Sequence, residues 1–370
     1  MKPKLLGLIV IELLFLCFTS EAVTVPPSTE WIGIPFPELI FKQTLSSEDR
    51  KYLGLAETEK FSLQDIDVEM LIVEYLNIYC YSCQLQASVF NQLYSVIKQD
   101  ANLKSKVKMI GIGAGNSQRE VERFRKEKNI PFPILPDQKF KAYEAIGNAG
   151  GTPFTILIRK AEKGEMLVLS HHLGLMKDYE DFLQKINSAL KVDLRAIQFN
   201  EGEYFTVDAR KKLEAELSEE QLTAKVEEIM ADLGGEVQNI ERALIPGDDI
   251  VYIGKLSSEG QEKQLIATVV RRDLVCDVCH GLHFIYIFNE KGEMLNFTPI
   301  SISKYGNKTW DEKDRKKMET RILGRSIFET FEFNPEVDAV STATISSNLI
   351  FHSLNQAKKN VEALKKKGYK

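Results

Sequence analysis

Cysteine is scarce in this chain of 370 residues, which contains only five. Scaffolds held together by disulfides need a much higher proportion of cysteine, so the chain has to fold around hydrophobic cores instead. A surplus of positive charge is also missing, because 48 Lys and Arg residues stand against 53 Asp and Glu residues. Nucleic acid is therefore not an expected partner. The length and a hydrophobic fraction of 44% fit a globular protein with two domains.

The chain also lacks a hydrophobic run near its start that could cross a bilayer. The apolar run at 5–18 is shorter than the roughly 20 residues that a membrane span needs, and it contains a glutamate. Lys2 and Lys4 precede it, and Ser-Glu-Ala at 20–22 offers the small residues that a signal peptidase reads. We interpret residues 1–22 as a signal peptide cleaved after Ala22, and we expect a periplasmic or secreted protein.

Two alternatives apply to this segment. An uncleaved anchor is disfavoured by the short run, and lipidation of Cys17 is disfavoured because Phe15 and Leu16 stand where a lipoprotein signal needs small residues. If Cys17 leaves with the signal peptide, four cysteines remain. They form two C-x-x-C pairs, one in each half of the chain: Cys80 and Cys83, then Cys276 and Cys279.

Hydrophobic periodicity divides the chain near residues 190–205. The first part alternates strands with helices, which predicts an α/β layer with a partly parallel sheet. Its predicted strands are 68–75, 107–112, 154–158 and 166–170, and its predicted helices follow Cys80, begin near Ser117 and cover 178–190. We place this domain at 32–192.

The second part has an α+β pattern. Ser218 to Gln221 reads as a capping box that opens a helix, and Gly234-Gly235 ends it. The predicted strands are 250–255, 264–271, 283–289 and 293–303, and a helix at 346–366 closes the chain. We interpret 193–249 as a helical linker and 250–370 as the second domain.

The first cysteine pair stands between an apolar strand and a helix, which is typical of thiol-disulfide chemistry. Helix N-terminal N–H groups stabilise a thiolate on Cys80, and Cys83 sits one turn on, where it can resolve a mixed disulfide. Glu74 lies on the preceding apolar strand, and a part-buried carboxylate there would have a raised pKa suited to moving a proton. The alternative for Glu74 is a strand residue facing solvent at the sheet edge.

Two other interpretations of the Cys80/Cys83 pair are weaker. A structural disulfide seldom closes so short a loop, because little chain entropy is removed. A zinc site needs more ligands than this segment offers, so no metal is predicted.

Further along, Gly151-Thr152-Pro153-Phe154 precedes an apolar strand, and Ile130-Pro-Phe-Pro-Ile-Leu-Pro-Asp137 comes before it. With the strand-Cys-x-x-Cys-helix pattern, these segments resemble the thioredoxin fold, and more closely its redoxin branch of exported thiol-disulfide oxidoreductases and peroxiredoxins, over about 35–190. The resemblance implies that Pro153 is a cis proline against the cysteine pair and that Thr152 offers its backbone to substrate. Thiol peroxidase activity is less expected, because Asn77 stands where that branch has a threonine.

The second pair, in Cys276-Asp-Val-Cys279-His280, has the form of a haem c attachment sequence with His280 as axial ligand. Three other interpretations remain: a zinc site with His283, which four ligands in eight residues make strained, a second redox-active disulfide, or an inert one.

The segment from Asp338 to Ser347 resembles the flavin attachment motif of FMN-binding domains in membrane electron-transfer complexes, with similarity over about 250–358. The resemblance implies FMN on Thr344, with Ser346 and Ser347 at a helix N-terminus that favours phosphate. Thr342 replaces a glycine of that motif.

The sequence therefore predicts an exported thiol-disulfide oxidoreductase in which a thioredoxin-like domain precedes an FMN-binding-like domain. Its expected partners are protein dithiols or disulfides and a membrane redox partner. The Cys276/Cys279 pair is expected to exchange electrons with a flavin on Thr344 and with the Cys80/Cys83 pair. The alternatives are a flavin- or haem-carrying electron carrier whose first domain only docks, a thiol peroxidase, or a structural protein with two inert disulfides.

Overall fold

A computed structural model of the chain describes eleven stretches of residues. They are 33–42, 45–58, 60–146, 151–161, 164–197, 217–243, 245, 249–258, 261–272, 281–304 and 308–369. The predicted signal peptide and the Cys276 to His280 motif lie outside the described residues.

The first part of the chain contains eight strands and five α-helices within the described residues. They are β1 (Ile34–Pro35), β2 (Ile40–Phe41), α1 (Ser47–Leu53), β3 (Phe61–Ser62), β4 (Met70–Leu76), α2 (Tyr81–Gln99), β5 (Val107–Ala114), α3 (Gln118–Glu127), β6 (Ile134–Asp137), α4 (Lys141–Ala145), β7 (Phe154–Lys160), β8 (Met166–Leu173) and α5 (Glu180–Ala189).

Six of these strands form one mixed sheet in the order β1-β8-β7-β4-β5-β6. Strands β4, β5 and β6 are parallel, whereas β7 runs antiparallel to β4 and β8 runs antiparallel to β7. All seven residues of β4 are buried, as expected for a central strand covered on both faces, which explains its unbroken apolar sequence. The carboxyl ends of β4 and β5 therefore meet at one edge of the sheet, where helix α2 begins.

The second part contains the remaining described elements. They are α6 (Glu219–Asp232), β9 (Glu236–Ala243), β10 (Ile250–Ser258), β11 (Gln261–Arg272), β12 (Leu282–Asn289), β13 (Met294–Ser301), β14 (Ser303–Lys304), β15 (Lys308–Thr309), α7 (Glu312–Ile322), α8 (Pro335–Asp338), α9 (Thr344–Leu354) and α10 (Ala357–Lys366).

Strands β9 to β13 form an antiparallel meander with two differently covered faces. On β12, Ile285 and Ile287 pack against helix α6, whereas the alternate residues Phe284, Tyr286 and Phe288 join a core that continues into the first sheet. The period of two along the strand thus separates two hydrophobic clusters.

Two predicted boundaries in this part are wrong. Within the predicted linker 193–249, the residues of α6 and β9 belong to the second sheet instead, because β9 pairs with β10 as its edge strand and α6 covers one of its faces. The closing helix is divided into α9 and α10. At the break, the Asn355 amide donates to the carbonyl oxygens of Phe331 and Phe351, both at 3.0 Å, so a side chain competes with the helical pattern.

Other local predictions agree with the structure. Capping boxes open α3 at Ser117 and Glu120 and open α6 at Ser218 and Gln221. Within the stretches described above, no helix is long and apolar enough to cross a bilayer.

Candidate active site at the start of helix α2

Strand β4 and helix α2 bring the first cysteine pair to the carboxyl edge of the six-stranded sheet. Cys80 is the N-cap of α2, and a turn closed by the Cys80 N–H and the Asn77 carbonyl oxygen, 3.0 Å apart, leads into it. Cys83 lies in the first helical turn. Both are thiols in this structure and are almost entirely buried, with 1% and 3% exposure.

The two sulfurs have backbone contacts from two directions. The Cys80 thiol donates to the carbonyl oxygen of Thr152 at 3.4 Å, and the backbone N–H of Asn77 donates to the Cys83 sulfur at 3.5 Å. The Thr152–Pro153 peptide bond is cis, as the resemblance implies. The structure thus brings Cys80, Cys83, Thr152 and Pro153 together.

The Cys83 thiol holds its proton strongly. Burial raises its pKa well above the usual value, and the hydrogen bond and charge of Cys80 add to the effect. Because only a thiolate attacks sulfur, Cys83 needs a base close by to act at neutral pH.

Glu74 is a buried carboxyl on the central strand of the sheet. The solvent-facing alternative is wrong, because β4 lies between β5 and β7 and the residue is 4% exposed. The pKa of Glu74 is raised to about 8, mainly by burial. Hydrogen bonds from Thr155 and Gln86 oppose this rise, and the charge of Cys80 adds to it. The Thr155 hydroxyl donates at 2.6 Å and the Gln86 amide at 2.8 Å.

Sequence reasoning missed Gln86 and Thr155, which are nearly or fully buried polar residues. A helical spacing from Cys83 places Gln86 on the same face of α2, and Thr155 follows Pro153 at the second position of β7. These two spacings are the sequence features that could have pointed to Gln86 and Thr155 as residues near the cysteine pair. The cross-strand pairing of Thr155 with Glu74 is a tertiary fact that the sequence does not show.

Two asparagines hold the loop before Cys80 against the end of β5. The Asn77 amide donates to the Ala114 carbonyl oxygen at 2.8 Å, and its own oxygen accepts from the Tyr79 N–H at 2.9 Å. The Asn116 oxygen accepts from the Ile78 N–H at 3.0 Å. Asn77 therefore has a structural role at the position that distinguishes this chain from the peroxidase pattern.

Helix α9 of the second part contacts this same edge of the sheet. The buried Asn348 amide donates to the Gly115 carbonyl oxygen at 2.6 Å. Gly115 has a φ of +73°, and a methyl group there would lie 2.3 Å from the Phe140 ring. Only glycine permits this close approach of backbone and helix.

A second polar contact between the two parts of the chain lies beside the contact of Asn348 with Gly115. Glu144 of α4 accepts a hydrogen bond from His352 of α9 at 3.2 Å, and Arg272 at the end of β11 is 3.7 Å from the same oxygen. Arg272 is the last described residue before the second cysteine pair, so β11 ends next to the first domain.

The predicted flavin residues lie at the start of α9. Thr344 is half-buried at its first position, and Thr342 has a φ of +60°, the left-handed conformation that a glycine adopts readily. The Ser346 hydroxyl donates to the Ser303 carbonyl oxygen at 3.1 Å, and the buried Ser347 hydroxyl donates to the Ala343 carbonyl oxygen at 2.9 Å. Neither serine fits as a phosphate donor, because each has already used its single hydrogen.

Cys276, Cys279 and His280 lie outside the described residues. No group of three or more potential metal ligands occurs among the residues that the structure describes.

The matching family model is described as the AhpC/TSA antioxidant enzyme family, and it covers residues 92–243. The match begins after Cys83 and therefore does not include the first cysteine pair. Two curated relatives are both named thiol-disulfide oxidoreductase ResA. The one from Geobacillus kaustophilus is 26% identical over 34% of this chain and 67% of its own length. The one from Halalkalibacterium halodurans is 26% identical over 35% of this chain and 69% of its own length.

A solved structure from Chlorobium tepidum, described as a putative thiol:disulfide interchange protein DsbE, is 19% identical and has a TM-score of 0.33. It is matched over 43% of this chain and 96% of its own length.

The first part of the chain is a thioredoxin-like α/β domain, as predicted. The relatives also confirm the predicted enzyme class, thiol-disulfide oxidoreductase. The second part is rich in strands, and its likeness to FMN-binding domains stays a prediction.

Proposed function

We propose that the protein is an exported thiol-disulfide oxidoreductase that works through the Cys80/Cys83 pair. The observation that carries the proposal is the placement of both sulfurs at the N-terminus of α2, with the Cys80 sulfur against the Thr152 carbonyl oxygen beside Pro153. The periplasmic or secreted location rests on the predicted signal peptide and on the nature of the chemistry, which persists outside reducing compartments.

The first step is attack of the Cys80 thiolate on a substrate disulfide. A bond forms between the Cys80 sulfur and one substrate sulfur, the substrate disulfide bond breaks, and the other substrate sulfur leaves as a thiolate. The N-terminus of α2 favours a negative charge on the attacking sulfur. Thr152 presents its backbone beside the sulfur, where an extended substrate segment can pair with it.

The second step is resolution by Cys83. In molecules whose Glu74 is ionised, the Cys83 proton moves to the Glu74 carboxylate, the Cys83 sulfur attacks the Cys80 sulfur, and the second substrate thiolate leaves. Two electrons have then passed from the cysteine pair to the substrate, and a Cys80–Cys83 disulfide remains. A dithiol partner restores the pair by the reverse sequence, and the same steps run backwards oxidise a dithiol substrate.

A second redox centre at Cys276 and Cys279 would supply such a dithiol. The contact between Arg272 and Glu144 supports this, because Arg272 is the last described residue before the second pair and lies beside the first domain. Replacing both cysteines with serine should stop electron flow between the two pairs, measured as disulfide state by mass spectrometry after mixing with reductant. Unchanged turnover would contradict the coupling and leave the first pair acting alone.

The test of the main proposal is reduction of a small disulfide by the reduced full chain. We expect Cys80→Ser to abolish turnover, because Cys83, the other thiol of the pair, holds its proton strongly. Cys83→Ser should instead accumulate a mixed disulfide on Cys80, visible as a mass increase of one substrate half. If Cys80→Ser keeps its turnover, the assignment of the nucleophile is wrong.

A thiol peroxidase is a second candidate, favoured by the AhpC/TSA match over residues 92–243. Asn77 argues against it, since both ends of its side chain bind backbone groups rather than facing the Cys80 sulfur. Consumption of hydrogen peroxide by the reduced protein at a rate comparable to disulfide reduction would favour the peroxidase.

The third candidate is an electron carrier with FMN on Thr344 or haem c on Cys276, Cys279 and His280. No step here passes through FMN, because Ser346 and Ser347 do not fit a phosphate site, and the residues that would hold haem c lie outside the described residues. The visible spectrum and intact mass of the protein from its own source test this candidate. A colourless protein of bare polypeptide mass would remove it.

A further inference from the structure

Gln86 is a buried amide whose two ends bind different elements. Its oxygen accepts from the backbone N–H of Met176 at 2.6 Å, and its nitrogen donates to Glu74 Oε1 at 2.8 Å. A backbone N–H can only donate, so the amide oxygen has to face Met176. The amide orientation is thereby fixed, and Gln86 presents only hydrogen-bond donors to Glu74.

The Thr155 hydroxyl also directs its hydrogen towards the Glu74 carboxyl. Its hydroxyl oxygen lies 3.4 Å from the Gln86 nitrogen, which can only donate, and its hydroxyl hydrogen points to Glu74 Oε2 at 2.6 Å. Each oxygen of the Glu74 carboxyl therefore accepts one hydrogen bond from a neutral donor. The arrangement is complete within the described residues and is shielded from water, since Glu74, Gln86 and Thr155 are all buried.

We propose that Gln86 is a positioning residue that keeps the Glu74 carboxyl able to accept the proton of Cys83 during the resolving step. The inference rests on the proposed thiol-disulfide exchange and goes beyond it by assigning a role to a residue that touches neither sulfur nor substrate. Two donors stabilise the carboxylate and oppose the burial that would otherwise keep the group protonated.

The position of Met176 gives this network a further consequence. Met176 follows strand β8, and the N–H of Gly174 in the same segment donates to the Pro153 carbonyl oxygen at 2.9 Å. The segment that orients Gln86 is therefore also joined to the proline beside Cys80. Gln86 links the proton acceptor to the backbone that flanks the expected substrate position.

The test uses a chromogenic aryl disulfide mixed in excess with the reduced full chain. Release of the first aryl thiolate reports attack by Cys80, and release of the second reports resolution by Cys83. Replacing Gln86 with Met keeps the side-chain length and removes the donor. We expect Gln86→Met to slow the second release about tenfold at pH 7 and to move its pH midpoint up by about one unit, with little change in the first release.

Thr155→Val and Thr155→Ser keep the test valid if the Met variant folds poorly. Valine removes the donor to Oε2 without affecting Met176, so it should reproduce the effect, whereas serine retains the hydroxyl and should behave like the wild type. Gln118→Met is the matched control, because Gln118 makes the same kind of contact with Glu122 on an exposed helix face.

A double-mutant comparison with Glu74→Gln decides between positioning and simple packing. In the Glu74→Gln background, Gln86→Met should have no further effect on the second release. A full effect in that background, or equal slowing of both releases in the wild-type background, would overturn the proposal. If the wild-type protein releases no aryl thiolate at all, it is the proposed function that fails and not the role of Gln86.

Discussion

At the scale of single residues, Glu74 combines a chemical role with a thermodynamic cost. An exposed glutamate titrates near 4.5, whereas burial raises the pKa of Glu74 to about 8. Between those two values the folded protein holds a proton that the unfolded chain has lost. Stability therefore falls as the pH rises from about 4.5 to about 8, by about 1.4 kcal/mol for each unit of difference in pKa.

This linkage predicts the behaviour of Glu74→Gln. A glutamine does not titrate, so the variant should lose much of the decline in unfolding free energy between pH 5 and pH 9 and should exceed the wild type at the alkaline end. Urea denaturation at several pH values measures this. Asp137, whose pKa burial raises to about 7, should retain its own contribution in both proteins. Parallel curves for the two proteins would mean that Glu74 does not titrate in this range.

Thr342 provides a second prediction at this scale. Its φ of +60° places a β-branched residue in the left-handed region, which costs roughly 1 to 2 kcal/mol, and glycine removes that cost while adding some freedom to the unfolded chain. Thr342→Gly should raise the unfolding free energy by about 0.5 to 1 kcal/mol. Its exposed neighbour Ser341 is not in that region, so Ser341→Gly is the control and should not stabilise.

How much of the site the sequence predicts depends on the range of the interactions involved. Cys80, Cys83 and the helix start follow from local pattern, and Thr152-Pro153 follows from a resemblance. Gln86 and Thr155 could not be predicted as partners of Glu74, because strand pairing and helix packing bring them together. The roles of residues 276–280 stay predictions, because these residues lie outside the described ones.

At the scale of secondary structure elements, the sequence predicts the existence of helix α9 but not where it ends. Its apolar pattern predicts a helix, and the structure contains one. The break before α10 depends on the contacts of Asn355 with a residue 24 positions away, which no local pattern contains. The edge strand β9 escaped prediction for a similar reason: most of its side chains are polar and only Ala243 is buried, so its strand character comes from pairing with β10.

The contact of α9 with the first sheet predicts a strong effect of Gly115→Ala. The added methyl group would meet Phe140 at 2.3 Å and the Asn348 amide at 2.9 Å, in a backbone conformation that alanine rarely adopts. We expect a loss of about 2 kcal/mol or more in unfolding free energy, measured by urea denaturation. Gly164→Ala is the control, because nothing lies within 4 Å of its added methyl group. Equal losses in both variants would mean that only the positive φ matters.

At the scale of the whole molecule, the two sheets share one hydrophobic cluster. It contains residues from the first sheet, one face of the second sheet and helices α7, α9 and α10. The polar contact of Glu144 with His352 and Arg272 lies at the rim of this junction, and the Glu144 side chain is half exposed. Exposed ion pairs contribute about 0 to 1 kcal/mol and weaken in salt, whereas the buried amide of Asn348 is shielded from it.

These contacts predict that the described parts of both halves unfold together and that charge contributes little to the stability of the contact between them. Glu144→Gln should lower the unfolding free energy by less than about 1 kcal/mol, and 1 M salt should lessen that difference. Asn348→Ala should cost about 1 to 3 kcal/mol at any salt concentration, because it leaves the Gly115 carbonyl oxygen buried without its donor. Calorimetry of the full chain should show one transition for each protein. Two separate transitions in the wild type would mean that the shared cluster does not couple the halves. A larger loss of unfolding free energy for Glu144→Gln than for Asn348→Ala would mean that charge holds the two halves together.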